Sequence, residues 1–244
     1  MIEIPHKLLG FLERGTCLGS PLTDTGRGTF TLSGPGDRSG SPEPNGFARA
    51  RDRHRSQHGK GNPACMKLVQ GEEFIGLFRS GEWKQAFHLE TQDEYHVADE
   101  AEPFRKFLAS EPDDYEWCRS WDDLIKEVTS TGRQVHRVRL VSVPHVDYTR
   151  FGLTIAPLNI EAGEEIKWLP RPLIDAAELA GDDYWLFDDR LVVFVTFTDD
   201  GDFGGFAVTD DPVIAAHCTV VRDTVWGLGI PHADYIGSDY AAAK

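Results

Sequence analysis

Two short segments of this chain carry residue types that could do chemistry. Asp188 and Asp189 stand side by side before Arg190, directly after the apolar run Tyr184–Phe187. Paired carboxylates can perform acid–base work when their surroundings split their pKa values. Adjacent acids at a strand end also simply make a turn, which is the commoner use. The second segment, Trp168-Leu169-Pro170-Arg171, sets a large aromatic ring and a planar cation at a strand end, where open α/β sheets form ligand crevices. Trp168, Arg171, Asp188 and Asp189 are therefore the candidate ligand-binding residues, although a strand-end tryptophan packs into a core more often than not.

The other reactive side chains do not gather into a site. His217 and Cys218 are adjacent on an expected helix and so face different ways, whereas helical metal ligands need a spacing of four. His88 and His96 fall on or near a strand and His232 in a loop, and no pair has metal-binding spacing. The four cysteines, Cys17, Cys65, Cys118 and Cys218, include no closely spaced pair, which fits neither a disulfide framework nor a zinc site. Nucleophile elbows, zinc-protease helices, phosphate loops and Cys–His signatures are all missing. No catalytic residue, metal or cofactor is expected.

The elements that must position these residues can be read from periodicity. Glu72 to Arg79 predicts a short helix with Phe74, Leu77 and Phe78 on one stripe, and Trp83 to Thr91 a strand in which Phe87 and Leu89 alternate with His88 and Glu90. Pro103 belongs to a first helical turn, and Pro112 stops that helix. Ser120 reads as the cap of the next helix, with Asp122 and Asp123 in its first turn and Leu124, Ile125 and Val128 buried. Val135–Val143 is a strand; Asp147 then opens a helix that Pro157 should kink and Gly163 ends. Strands follow at Ile166–Leu169, Tyr184–Phe187, Leu191–Thr198 and Phe203–Val208, the last two joined by a hairpin turn at residues 199–202. Asp210 caps a closing helix with Pro212 in its first turn and Val213, Ala216, Val220 and Val225 as its apolar stripe. This order predicts an α/β fold, a mixed β-sheet with helices on its faces.

Composition divides the chain at residue 65. Residues 1–65 hold eleven glycines, six prolines and neither Trp nor Tyr, whereas all six Trp and six Tyr lie beyond. Without aromatic area the first segment has little to offset chain entropy, so residues 1–65 read as a disordered or misassigned N-terminal extension to a domain of residues 66–244 that opens at Met66. Nine Lys/Arg and six Asp/Glu give that segment +3, while 16 and 34 give the remainder −18. An acidic domain repels nucleic-acid phosphate and anionic lipid, so direct contact with either is not expected. No apolar run approaches the ~18 residues of a membrane span, and the start lacks the order of a signal peptide. Cytoplasm is the default location.

Two resemblances bear on function. FRSGEWKQAFHLETQDEY, EPFRKFLASEPDD, DYTRF, NIEAGEEIKWLPR and YWLFDDRLVVF are similar to a family of actinobacterial proteins often encoded beside Xre-type helix-turn-helix regulators, which implies regulation and no particular activity. The helix ending at Gly132 followed by QVHRVRLVSV, then EAGEEIKWLP, WLFDDRLVVFVTF and DPVIAAHCTVVRDTVW, resembles one half of the phospholipase-D-like fold. Active members of that fold carry His-x-Lys a few residues before their acidic turn. Aligning that turn with Asp188-Asp189 puts Gly181 and Asp183 at those two positions. Glycine cannot attack phosphorus, and an Asp repels the phosphate that Lys would neutralise. The resemblances together imply a non-catalytic regulatory or ligand-sensing module acting with a separate helix-turn-helix regulator. They also imply a partner for the missing half, because only one half of the usual two is present: a second copy in a homodimer or, as the rival, the helix-turn-helix regulator itself. The alternatives are a phosphodiesterase or nuclease using other residues, such as His217 or His232, and an antitoxin-like partner that binds only protein.

Overall fold

The computed structural model describes residues 66–179, 181–198 and 203–243. The expected extension over residues 1–65 and the hairpin turn at 199–202 lie outside the described residues.

In chain order the strands are β1 (Lys67–Val69), β2 (Gln85–Glu90), β3 (Gln134–Val141), β4 (Glu164–Pro170), β5 (Tyr184–Phe187), β6 (Leu191–Phe197), β7 (Phe203–Thr209) and β8 (Ile230–Pro231). The helices are α1 (Glu72–Ser80), α2 (Ala101–Leu108), α3 (Arg119–Thr129), α4 (Asp147–Ala162), α5 (Pro212–Leu228), α6 (His232–Tyr235) and α7 (Asp239–Ala242). All eight strands form one mixed sheet in the order β1-β7-β6-β5-β2-β3-β4-β8. β2, β3 and β4 run parallel, as strands joined by helical crossovers do, and the other pairings are antiparallel. The fold is mixed α/β with helices on the sheet. Among the described residues no helix is long and apolar enough to cross a membrane.

Residues directly paired across strands point to the same face, so the register sorts the core. One face sets Phe87, Leu89, Val138, Leu140, Leu169, Tyr184, Leu186, Val192 and Phe194 against Ala215, Cys218, Val221 and Val225 of α5. The other sets Ala86, Val135, Trp185, Phe187 and Val193 against Phe74 and Phe78 of α1 and Leu124, Ile125 and Val128 of α3. Toward β4 a smaller cluster joins Val141, Ile166 and Trp168 to Ala156 of α4 and Tyr235 of α6.

Several local expectations shift against this frame. α5 buries the expected Val225 but otherwise Ala215, Cys218 and Val221 in place of Val213, Ala216 and Val220, leaving Val213 and Val220 64% and 65% exposed. Its cap is Asp211, whose Oδ1 accepts from the Val213 and Ile214 amides, rather than Asp210. α3 has no side-chain cap at Ser120, because a 3-10 turn at Glu116–Cys118 leads into it. Asp122 is in the first turn as expected, and there it is buried and accepts from Asn159 Nδ2 of α4. α4 runs through Pro157 to Gly163, whose φ of 116° is the left-handed ending that favours glycine. His232 begins α6 and is buried, not in an open loop.

Candidate functional site

The sheet face under α1, α3 and α4 carries charge at its centre. β2 supplies His88 and Glu90, β3 supplies Arg137 and Arg139, and β4 supplies Glu164. His88 is paired with Arg137 and Glu90 with Arg139, so four of these side chains form two adjacent rows. Arg137 donates to both oxygens of Glu164, from Nε at 2.8 Å and from Nη2 at 3.0 Å, and its Nη1 bonds Glu90. The second Glu90 oxygen lies 2.6 Å from Arg139 Nε. Glu164, Arg137, Glu90 and Arg139 therefore form a chain of alternating sign, and Trp121 adds an indole donor to Glu164 at 2.6 Å. Gly152 on α4 makes room for it, since a Cβ there would sit 2.3 Å from Arg139 Nη1.

This layer sets its own protonation. Burial pushes the Glu90 carboxyl up, but Arg139 and Arg137 outweigh it and hold the group down at about 2. Burial likewise works against the Arg137 cation, and Glu164 and Glu90 overcome it, keeping Arg137 charged. His88 lies flat on Trp185, ring centroids 4.1 Å apart. Burial lowers it to about 3 against the pull of Glu90, so the imidazole is neutral. Its Nδ1 is 3.4 Å from Glu90, and its Nε2 has no hydrogen-bond partner among the described residues.

A cavity of about 300 Å³ opens over this layer, within the range that holds small organic ligands. Its walls include Trp117, Trp121, Trp185, Tyr95, Tyr148 and Phe197. Two further carboxyls line it. Asp183, just before β5, accepts from the Thr91 amide at 2.7 Å, the Thr91 hydroxyl at 2.6 Å and the Tyr95 hydroxyl at 2.5 Å. Glu100, just before α2, accepts from the Tyr148 hydroxyl. Burial raises Asp183 to about 6 in spite of the bonds from Thr91 and Tyr95, and it raises Glu100 in spite of Tyr148. Among the described residues no group of His, Cys, Asp and Glu could hold a metal ion.

The structure does not bring the four sequence-chosen residues together. Trp168 is fully buried on the charged face; its indole donates to His232 Nδ1 at 3.0 Å, and the Arg139 guanidinium lies 5.5 Å from its ring. Arg171 ties the carboxyl ends of three strands, through Nη2 to the Thr91 carbonyl at 2.5 Å and Nε to Ser142 Oγ at 3.1 Å and Asp93 at 3.3 Å. Asp188 and Asp189 lie at the opposite end, beside the start of β2. Both have positive φ, 46° and 58°, as a tight hairpin turn demands. Asp188 accepts from the Lys84 and Gln85 amides, and Asp189 pairs with Arg222 of α5. His217 and Cys218 do face different ways, the first exposed and the second buried.

The layer of His88, Glu90, Arg137, Arg139 and Glu164 was missed by motif reasoning. Its signal was charge at i and i+2 inside two segments otherwise rich in strand formers, which suits a buried parallel strand poorly.

No protein of curated function shows significant sequence similarity to this chain. Among solved structures, NucT from Helicobacter pylori is similar at a TM-score of 0.38 and 11% identity, over 69% of this chain and 98% of NucT. Residues 72–237 match the family model described as a domain of unknown function, DUF6879. That span takes in the whole charged layer and every residue of the cavity wall, and the chain belongs to the DUF6879 family.

Proposed function

We propose that this domain binds a small molecule in the cavity over the charged layer and acts as a sensing module, not as a phosphodiester hydrolase. The observation that carries the reading is the cavity itself: about 300 Å³, walled by aromatic rings and floored by charges that already neutralise one another. Aromatic walls supply stacking area, and a pre-paired floor holds its geometry before the ligand arrives. Phosphodiester hydrolysis would need a free cation to neutralise the phosphate. Here both floor arginines are held by carboxylates, and Asp183, at the position the resemblance would give to a phosphate-binding Lys, is itself acidic. The floor is built from three neighbouring parallel strands, so a ligand there touches the centre of the sheet and can shift the helices above it. In this reading the output goes to a helix-turn-helix regulator or a second copy of the chain. Its support is the sequence resemblance and the charge of −18 over residues 66–244, which suits a basic partner surface.

The test is a thermal-shift screen of small metabolites on the full chain and on Val195→Phe, which fills the cavity from β6. Compounds should raise the melting temperature of the native chain and not of the variant, because a ligand specific for the folded state stabilises it. Hits that survive the filled cavity would place binding elsewhere. Phosphodiester turnover that Val195→Phe abolishes would replace the sensing reading with the hydrolase.

A further inference from the structure

We infer that the ligand taken by this cavity is a small organic cation, a protonated or quaternary amine on an apolar or aromatic body. The inference rests on the reading of the cavity as a ligand site and specifies what that site selects.

The charged groups at the cavity divide into two sets. The floor chain Glu164–Arg137–Glu90–Arg139 is internally matched, two carboxylates to two guanidiniums, and offers no cation to an incoming anion. Asp183 and Glu100 stand outside that match. Among the described residues their hydrogen bonds come from neutral donors only: the Thr91 amide and hydroxyl and the Tyr95 hydroxyl for Asp183, the Tyr148 hydroxyl for Glu100. Three carboxyls, Glu90, Glu100 and Asp183, line the cavity with Arg137 and Arg139, and Glu164 beside them makes a fourth that also draws on Arg137, so the site is short of positive charge.

The geometry around the unmatched pair suits an ammonium group. The rings of Tyr95 and Tyr148, whose hydroxyls hold the two acids, are neighbours at 5.9 Å, and Phe197 lies 6.0 Å from Tyr95. Aromatic faces beside carboxylates attract a cation through the ring quadrupole and the full charge together. His88, about nine-tenths buried, lines the same cavity with an unbonded Nε2 that can accept from an ammonium N–H in one tautomer. The energetics agree. Thr91, Tyr95 and Glu90 face Asp183, and Tyr148, Arg139, Glu90 and Arg137 face Glu100. In neither case do these groups overcome the desolvation that raises the acid, and a bound cation would.

Benzyltrimethylammonium tests this on the full chain, because its charge is constant at every pH, with benzyl alcohol and benzoate as neutral and anionic counterparts. Tryptophan fluorescence from Trp117, Trp121 and Trp185 reads binding. The cation should bind, and its affinity should rise about tenfold from pH 5 to 7.5 as Asp183 loses the proton it holds to about 6. Asp183→Asn should flatten that profile and weaken binding about tenfold at pH 7.5; Glu100→Gln gives a second readout of weakened binding should the first variant fold poorly. Preference for benzoate or benzyl alcohol, lost on Val195→Phe, would overturn the cation inference and leave the ligand cavity standing. Binding of none of the three also overturns it, and the wider screen then decides separately whether the cavity takes any ligand.

Discussion

Under α5 the sheet presents mainly apolar side chains, with His136 stacked on Trp226 and Lys167 reaching the same ring; under α1, α3 and α4 the same central strands present the linked charges of Glu90, Arg137, Arg139 and Glu164 beside His88. Both faces are covered, so the contrast is not between inside and outside. Desolvating a carboxylate or guanidinium costs several kcal/mol, and the apolar face shows that these strands could have been covered without that cost. Among the described residues the linked network of buried carboxylates and guanidiniums is confined to the face under α1, α3 and α4. That is also the face on which the cavity opens.

Substitutions can break or sharpen this contrast. The largest effect should come from Arg137→Met, which strands Glu164 and Glu90 in the interior without their shared cation. We expect a loss of about 3–5 kcal/mol in denaturant unfolding, the cost of an uncompensated buried charge. A loss under about 1 kcal/mol would mean that water or a rearrangement already compensates the layer.

Acid should distinguish the faces next. His88 is lowered to about 3 in the folded chain, so the unfolded chain takes up its proton first and stability falls as pH drops from about 6.5 toward 3. Glu90, lowered to about 2, adds stability above its usual range and loses it as pH falls from about 4.5 to 2. Asp183 acts in the opposite sense: raised to about 6, it penalises the folded state increasingly as pH climbs from about 4 to 6. His88→Phe keeps a ring against Trp185 and has no proton to gain. Between pH 6.5 and 3 its stability should fall less steeply than that of the native chain, by up to about 1.4 kcal/mol per pH unit. Parallel pH curves for the two proteins would show that His88 is already charged in the fold.

The smallest effect should lie on the outer side of α5. Val220→Ser changes a residue 65% exposed and should alter unfolding by no more than about 0.5 kcal/mol. A larger loss would show that something covers this helix in solution.

Most elements were legible because each carries its own local signal. Gly163 ends α4 and the run Leu191–Phe197 makes β6, much as periodicity and composition indicate. Where the prediction slipped, a neighbour decided the outcome. On α5 both Val213 and Val220 look like core residues, yet Cys218 and Val221 are the ones that meet the sheet, since Asp211 rather than Asp210 starts the helix and strand packing sets its rotation. Trp168 and Arg171 were chosen for their types at a strand end. Only the packing of α6 and the loop after β2 shows that the Trp168 indole is bound to His232 and the Arg171 guanidinium to Thr91, Ser142 and Asp93.

The sequence by itself determined the mixed α/β class, the order of elements from α1 to α5, and the turn at Asp188-Asp189, because hydrophobic period, caps and turn residues act over a few positions; the short β1, β8, α6 and α7 carried no such signal. The cavity and its charge pattern belong to the tertiary structure. Glu90, Arg137 and Glu164 are 47 and 27 residues apart along the chain and meet only because β2, β3 and β4 align in one parallel register. Alternation along β2 could not say whether His88 and Glu90 faced solvent or a second core. That was settled by α1, α3 and α4, which close over the face, so that Glu90 and Glu164 are compensated chiefly by Arg137 and Arg139.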